Sequence, residues 1–217
     1  MKNMQIINWQ RVIGLSRVAM LARFILISSL LTSAFAQQNI SLSGVVQSDG
    51  EMLANTRLGL HLIDDLNRRF IELSNIPPVG GTFNLSTNTL DASLLQPLRN
   101  GGTVFPGIYN EFSVAPEGVN YARAVTNVYA DNNSNGVFDD PNTDALYLGI
   151  ASVDNPKGFF VLIYVDRDAQ IIAQATTLSL RSGWNIITLR SGSDGQLNVY
   201  GVQPSLSDVV LDVFVPR

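Results

Sequence analysis

The chain has 217 residues, with 14 basic and 18 acidic side chains, one histidine and no cysteine, for a formal net charge of −4. The acidic balance sets aside nucleic acid and anionic lipid headgroups as partners, and without cysteine no disulfide framework is available. With 46% hydrophobic residues, the length suffices for one domain with a sizeable core or two small ones.

The N-terminal stretch divides in two. Residues 1–23 contain Lys2, Arg11, Arg17 and Arg23 and no acidic residue, whereas 24–36 carry no charge. The apolar run FILISSLLTSAFA spans 13 residues, and crossing a bilayer takes about 20. Ala34-Phe35-Ala36 places small side chains where signal peptidase needs them, so the pattern predicts a signal-peptide helix cleaved after Ala36. A membrane anchor that borrowed residues 18–22 would have to bury Arg23 at several kcal/mol, and after cleavage no stable span remains. The run lacks the cysteine that lipidation needs. Met20 opens a compact signal of its own, MLARFILISSLLTSAFA, so translation from Met1 or from Met20 fits the pattern. Removing 1–36 leaves 10 basic against 18 acidic residues, a net charge of −8. The product is expected to be secreted, or held in the periplasm or cell envelope. Divalent cations suit its charge.

Residues 37–217 read as a single domain of short β-like runs separated by Gly, Pro, Asn and Asp. ISLSGVV (40–46) comes first. In RLGLHLI (57–63), Leu58, Leu60 and Leu62 alternate with Gly59, His61 and Ile63, the period of a strand with one buried face. GTFNLS (81–86) follows a turn at Pro77-Pro78-Val79-Gly80-Gly81. DASLLQPL is expected to form one helical turn before Pro97, and Asn100-Gly101-Gly102 a loop. Further strands are predicted at 108–114, 122–130, 145–151, 159–166, 171–178, 184–190, 197–202 and 209–215, with turns at Asn155-Pro156, Ser182-Gly183 and Asp194-Gly195. FFVLIYV is apolar on both faces, as a strand covered on both sides should be. About eleven strands and no long amphipathic helix predict an all-β fold, an antiparallel β-sandwich of transthyretin-like or Ig-like type.

Gly44-Val45-Val46, Asp49-Gly50, the alternating Leu58 to Leu62 and Gly81-Thr82-Phe83 together make the opening of the domain resemble transthyretin-like or carboxypeptidase-regulatory-like modules. The resemblance covers about 45 residues and implies an exported β-sandwich. Some relatives in bacterial surface adhesins cross-link a lysine to an asparagine. The one lysine after the signal, Lys157, sits in the loop-like Asp154-Asn155-Pro156-Lys157-Gly158, so no isopeptide bond is expected.

Residues 131–144, DNNSNGVFDDPNTD, carry the motif with the most chemistry in it. Oxygen-bearing side chains fall at Asp131, Asn133 and Asn135, then Gly136, with Asp139 following. Ca²⁺ takes six to eight oxygens, and a chain curling round one ion presents every second side chain to it. Val137 would add its backbone carbonyl, and Asp139 or Asp144 would close the shell. The motif resembles the D-x-[DN]-x-[DN]-G loops of EF-hands, dockerins and adhesin repeats. It departs from an EF-hand at position twelve, where Asn142 stands between the carboxylates Asp140 and Asp144, and its flanks look like strands. Its few carboxylates imply the affinity of extracellular modules, roughly 10⁻⁴–10⁻³ M. A solvated Asx-rich turn would use the same residue types.

His61 is the sole histidine, which leaves no histidine-rich zinc site, and no serine sits in a Gly-x-Ser-x-Gly elbow. Its alternation with leucines predicts an outward-facing strand residue. Asp64, Asp65, Asp166 and Asp168 are candidates for a carboxylate pair in glycoside hydrolysis, although Asp166-Arg167-Asp168 suits a charged turn. Trp184, the one tryptophan after the signal, could face a sugar or seal the core. The expected function is a non-catalytic exported module, calcium-stabilised, with a structural or adhesive role and a glycan or envelope protein as partner. A carbohydrate-binding module and a secreted hydrolase using paired carboxylates are the alternatives.

Overall fold

The computed structural model describes residues 39–52, 54–64, 69–78, 81–99, 112–154, 157–173, 176–191 and 197–214. The predicted signal helix, its cleavage site, the Asn100-Gly101-Gly102 loop, the start of the 108–114 strand, Asp65 and the turns at 155–156 and 194–195 lie outside these residues.

Strand-forming runs dominate the chain. β1 (Ser41–Ser48), β2 (Thr56–Asp64), β3 (Arg69–Ile76) and β4 (Thr82–Ser86) precede a 3₁₀ turn at Ala92–Leu94, where Asp91 caps the Ser93 N–H. β5 (Gln96–Pro97), β6 (Phe112–Ala115), β7 (Asn120–Ala130) and β8 (Ala145–Leu146) follow. The remainder is β9 (Leu148–Asp154), β10 (Lys157–Val165), β11 (Ala169–Ala173), β12 (Thr176–Leu180), β13 (Gly183–Ser191), β14 (Leu197–Gln203) and β15 (Ser205–Phe214).

The architecture is all-β, but it is a nearly closed barrel rather than the expected two-sheet sandwich. One sheet runs β3-β2-β7-β10-β9-β15-β1-β4. Its two edge strands approach each other, with Ser74 Oγ 3.5 Å from the Ser86 carbonyl. β1 and β15 pair in parallel, which no hairpin can produce and which joins the two ends of the domain. At that seam the chains pass so closely that a Cβ on Gly44 would sit 1.8 Å from the Val209 carbonyl oxygen. Alternation reveals which face of a strand is buried but not which strand lies beside it, so the sandwich expectation had no register behind it.

Two further departures are local. The run 171–178, read as one strand, is split between β11 and β12, and β11 pairs with β12 on one side and β6 on the other in a separate three-stranded sheet. Lys157, expected in a loop, is the first residue of β10, opposite Asp154.

Inside the barrel, Leu58, Leu60 and Leu62 of β2 meet Leu42, Leu85, Leu162, Tyr164, Trp184 and Leu211. Each such side chain contributes roughly 1.5–3 kcal/mol by leaving water. From Leu162 to Val165 β10 is covered on both faces, as its sequence predicts, whereas Phe159 near its start is 43% exposed. Leu162 and Tyr164 point into the barrel, while Ile163 and Val165 join Ile171, Leu178 and Ile187 in a second core under the small sheet. β13 alternates in the same way, Trp184 and Ile186 inward, Ile187 and Leu189 outward. Trp184 is fully buried, donates its indole N–H to the Asn88 carbonyl at 2.8 Å and meets Tyr164 edge to face. It seals the core and is no exposed platform for a sugar.

Candidate functional site

The loop from 131 to 144 leaves the end of β7, folds over the outer face of β2 and β3, and returns as β8 beside β7. Its shape is set by its own side chains. Both carboxylate oxygens of Asp131 accept backbone N–H groups, Oδ1 from Asn135 at 3.1 Å and Oδ2 from Gly136 at 2.8 Å. Asn133 and Asn135 repeat the turn, their Oδ1 atoms accepting the N–H two residues on, at Asn135 and Val137. The curl needs left-handed backbone at Ser134 (φ +58°) and Gly136 (φ +84°), the latter natural for glycine.

Four of the sequence-predicted ligands are brought together. The Nδ2 groups of Asn133 and Asn135 both donate to Asp139 Oδ2, at 2.7 and 2.8 Å, so the third, fifth and ninth side chains of the loop meet at one point. Asp131 braces the same turn from a buried position. Asp144 is fully buried below the loop, with Oδ1 accepting Asn132 N–H at 3.0 Å and Oδ2 accepting Asp139 N–H at 2.9 Å. Val137 is exposed. Asp140 closes a separate turn, its carboxyl held below the usual carboxylate range by the N–H of Asn142 and further bonds from Thr143.

The donor set suits a hard cation. Asp131, Asn133, Asn135 and Asp139 supply only oxygen and amide groups, and each amide carries an oxygen on the carbon that bears the nitrogen now bonded to Asp139. Among the described residues, no group of three or more His, Cys, Asp or Glu side chains converges as a metal site. A cation here would therefore depend on the two asparagines as much as on the carboxylates.

Beneath the loop lies a buried polar cluster that sequence reasoning missed. Glu72 on β3 sits opposite His61 on β2, with Oε1 3.8 Å from His61 Nε2. Glu72 Oε1 accepts the Tyr129 hydroxyl at 2.8 Å, and Oε2 accepts the backbone N–H of Phe138, a loop residue, at 2.9 Å. Phe138 caps the group, its ring centroid 5.1 Å from His61 and 5.2 Å from Tyr129. Asn75 adds a second tie from β3, donating to the Gly136 carbonyl at 3.0 Å while accepting from Arg57 Nε. The loop is thus clamped to the barrel wall at Phe138 and at Gly136. The signal for β3 was present as Ile71 and Leu73 alternating with Phe70, Glu72 and Ser74.

His61, expected to face solvent, is instead fully buried. Its ring lies over Gly59, where a Cβ would come within 2.3 Å of the imidazole. Neither ring nitrogen has a hydrogen-bond partner. Burial pushes its pKa below the ordinary value, outweighing the opposing pull of Glu72. The folded state therefore keeps His61 neutral while the unfolded chain takes up a proton near pH 6.5. Stability should be level above about pH 6.5 and fall below it by at most about 1.4 kcal/mol per pH unit, until the folded-state pKa is passed. Urea unfolding of the wild type and of His61→Gln between pH 7.5 and 5 checks this. The slope below 6.5 should vanish in the variant.

The carboxylates considered for hydrolysis serve as turn anchors where described. Asp166 accepts the backbone and side-chain N–H groups of Asn120 and pairs with Arg167 at 3.0 Å. Burial raises its pKa, but these bonds outweigh it and hold the carboxyl below the usual range. Asp168 accepts the Ser182 N–H at 2.8 Å. No helix among the described residues is long and apolar enough to cross a membrane. Comparison with known proteins finds no matching family model, no matching curated protein and no matching solved structure.

Proposed function

We propose that the chain is an exported, non-catalytic β-module with a structural or adhesive role at or beyond the cell envelope, whose 131–144 loop takes a calcium ion that fixes it against the barrel. The observation that carries this reading is the meeting of Asn133, Asn135 and Asp139 at one point inside a curl braced by Asp131. The basic-then-apolar N-terminus with Ala34-Phe35-Ala36 supports export, into surroundings where calcium is abundant.

Asp131, Asn133, Asn135 and Asp139 would hold the ion, with the Val137 carbonyl as a further oxygen. When bound, calcium would supply positive charge to a loop whose Asp131, Asp139 and Asp144 carboxylates otherwise meet only amide N–H groups. The chain's own part is mechanical. Asp144 supports the loop from below, and Glu72 and Asn75 fasten it to β3, so order at the tip passes to the barrel wall. Calorimetric titration of calcium into the purified chain should show one equivalent with a dissociation constant of roughly 10⁻⁴–10⁻³ M. Asp139→Ala should abolish it, and heat absent from the wild type at millimolar calcium would refute the reading.

A further inference from the structure

The barrel wall opens where β7 and β9 part. One edge of β10 pairs with β13 through residues 159–165, while the other pairs with β9 through 157–159 and with β7 through 162–165. At the far end the gap closes again, since β8 pairs with Tyr129 and Ala130 and the Tyr147 N–H donates to the Val128 carbonyl at 2.9 Å. Between these closures, among the described residues, 125–127 of β7 and 149–151 of β9 pair with no strand across the gap. The slit holds a cavity of about 600 Å³, and small-molecule pockets commonly span roughly 300–1,000 Å³.

The slit crosses the wall. Ala151 and Phe160 of its lining pack against the barrel core, whereas Leu189 belongs to the second core and Val161 packs against it. Small residues keep it open, with Ala124, Gly149 and Ala151 all in the lining. Gly149 has no backbone reason to be glycine, because its φ is not left-handed and a Cβ there would make only ordinary contacts, the nearest at 3.4 Å from the Asp212 carbonyl oxygen. What the missing side chain leaves is room. Phe70 and Phe159 contribute rings that are 38% and 43% exposed. Large aromatic side chains left open to water at one cavity cost free energy that an apolar occupant would recover.

The slit offers no free charge. Arg123, the only charged residue among the described lining residues, already interacts with another group of the protein. Asn127 Nδ2 and Thr126 Oγ1, both from lining residues, are buried with no hydrogen-bond partner. A neutral hydroxyl or carbonyl oxygen would satisfy the Asn127 amide, whereas a carboxylate buried here would lack a free countercharge.

We propose that this slit binds a slender uncharged amphipathic molecule, a hydrocarbon chain bearing one hydroxyl or carbonyl group. The chain lies against Phe70, Phe159 and Phe160, and its oxygen accepts from the Asn127 amide. The slit shares no residue with the 131–144 loop, and calcium is not needed for it.

The test is calorimetric titration of 1-hexanol, 1-heptanol and 1-octanol into the purified chain, with octanoate as the charged probe. 1-Octanol should bind at one equivalent, and each methylene added along the series should tighten binding about fourfold. Octanoate should bind at least about tenfold more weakly than 1-octanol, because its charge would be buried unpaired. Asn127→Leu, nearly the same size but without the amide, should weaken 1-octanol about two- to tenfold and leave the step per methylene unchanged. Gly149→Val should occupy the room and weaken 1-octanol about tenfold or more. If that variant fails to fold, the alcohol series and Asn127→Leu decide. No saturable binding, several equivalents per chain, affinity independent of chain length, octanoate binding as tightly as 1-octanol, or a folded Gly149→Val with unchanged affinity would overturn the proposal.

Discussion

Asp144→Ala should lower the unfolding free energy by about 1.5–3 kcal/mol, because it removes the charged acceptor of two part-buried backbone hydrogen bonds. The donors are the N–H groups of Asn132 and Asp139, held by the two oxygens of a fully buried carboxylate. Asp144→Asn keeps one acceptor and turns an amide N–H toward the other donor, so its loss should fall short of the alanine's. Urea unfolding of the three proteins separates these cases. A loss below about 1 kcal/mol for alanine would mean that water satisfies the donors and that Asp144 does not support the loop.

Trp184→Ala should cost about 3–5 kcal/mol, the range for removing a large aromatic side chain from a packed core. Trp184 fills the barrel against Tyr164 and holds the Asn88 carbonyl, which the substitution leaves without its donor. Against a typical domain stability of about 5–15 kcal/mol, such a loss takes the protein near its unfolding threshold at ordinary temperature. Trp184→Phe retains most of the volume but not the indole N–H, and should lose less. Thermal unfolding followed by circular dichroism reads both.

What the sequence shows most clearly is what is local. The alternation of Leu58, Leu60 and Leu62, the two-sided FFVLIYV strand and the curl of Asp131, Asn133 and Asn135 all depend on neighbours two residues apart. What it hides is what distant segments do to one another. His61 reads as exposed because the residues that cover it, Tyr129 and Phe138, come some 70 residues later. β3 passes unnoticed because Glu72, Ser74 and Asn75 look like loop residues until Tyr129, Ser86 and Gly136 supply their partners. The sequence between β11 and β12 carries no Gly or Pro that would mark a break in the run 171–178. The parallel pairing of β1 with β15 leaves no trace in either strand's composition, and it is this pairing that turns an expected sandwich into a nearly closed barrel.

The central claim, that the 131–144 loop is a calcium clamp on the barrel, is tested most directly by thermal unfolding in 10 mM calcium and in excess chelator. A site of dissociation constant about 10⁻⁴–10⁻³ M is then at about a ten- to hundredfold excess, which stabilises the folded state by about 1.4–2.7 kcal/mol. For a domain of this size that is a rise in Tm of roughly 3–10 °C. The account predicts such a rise for the wild type and none for Asp139→Ala. An identical Tm in calcium and in chelator, or an equal rise in both proteins, would contradict it.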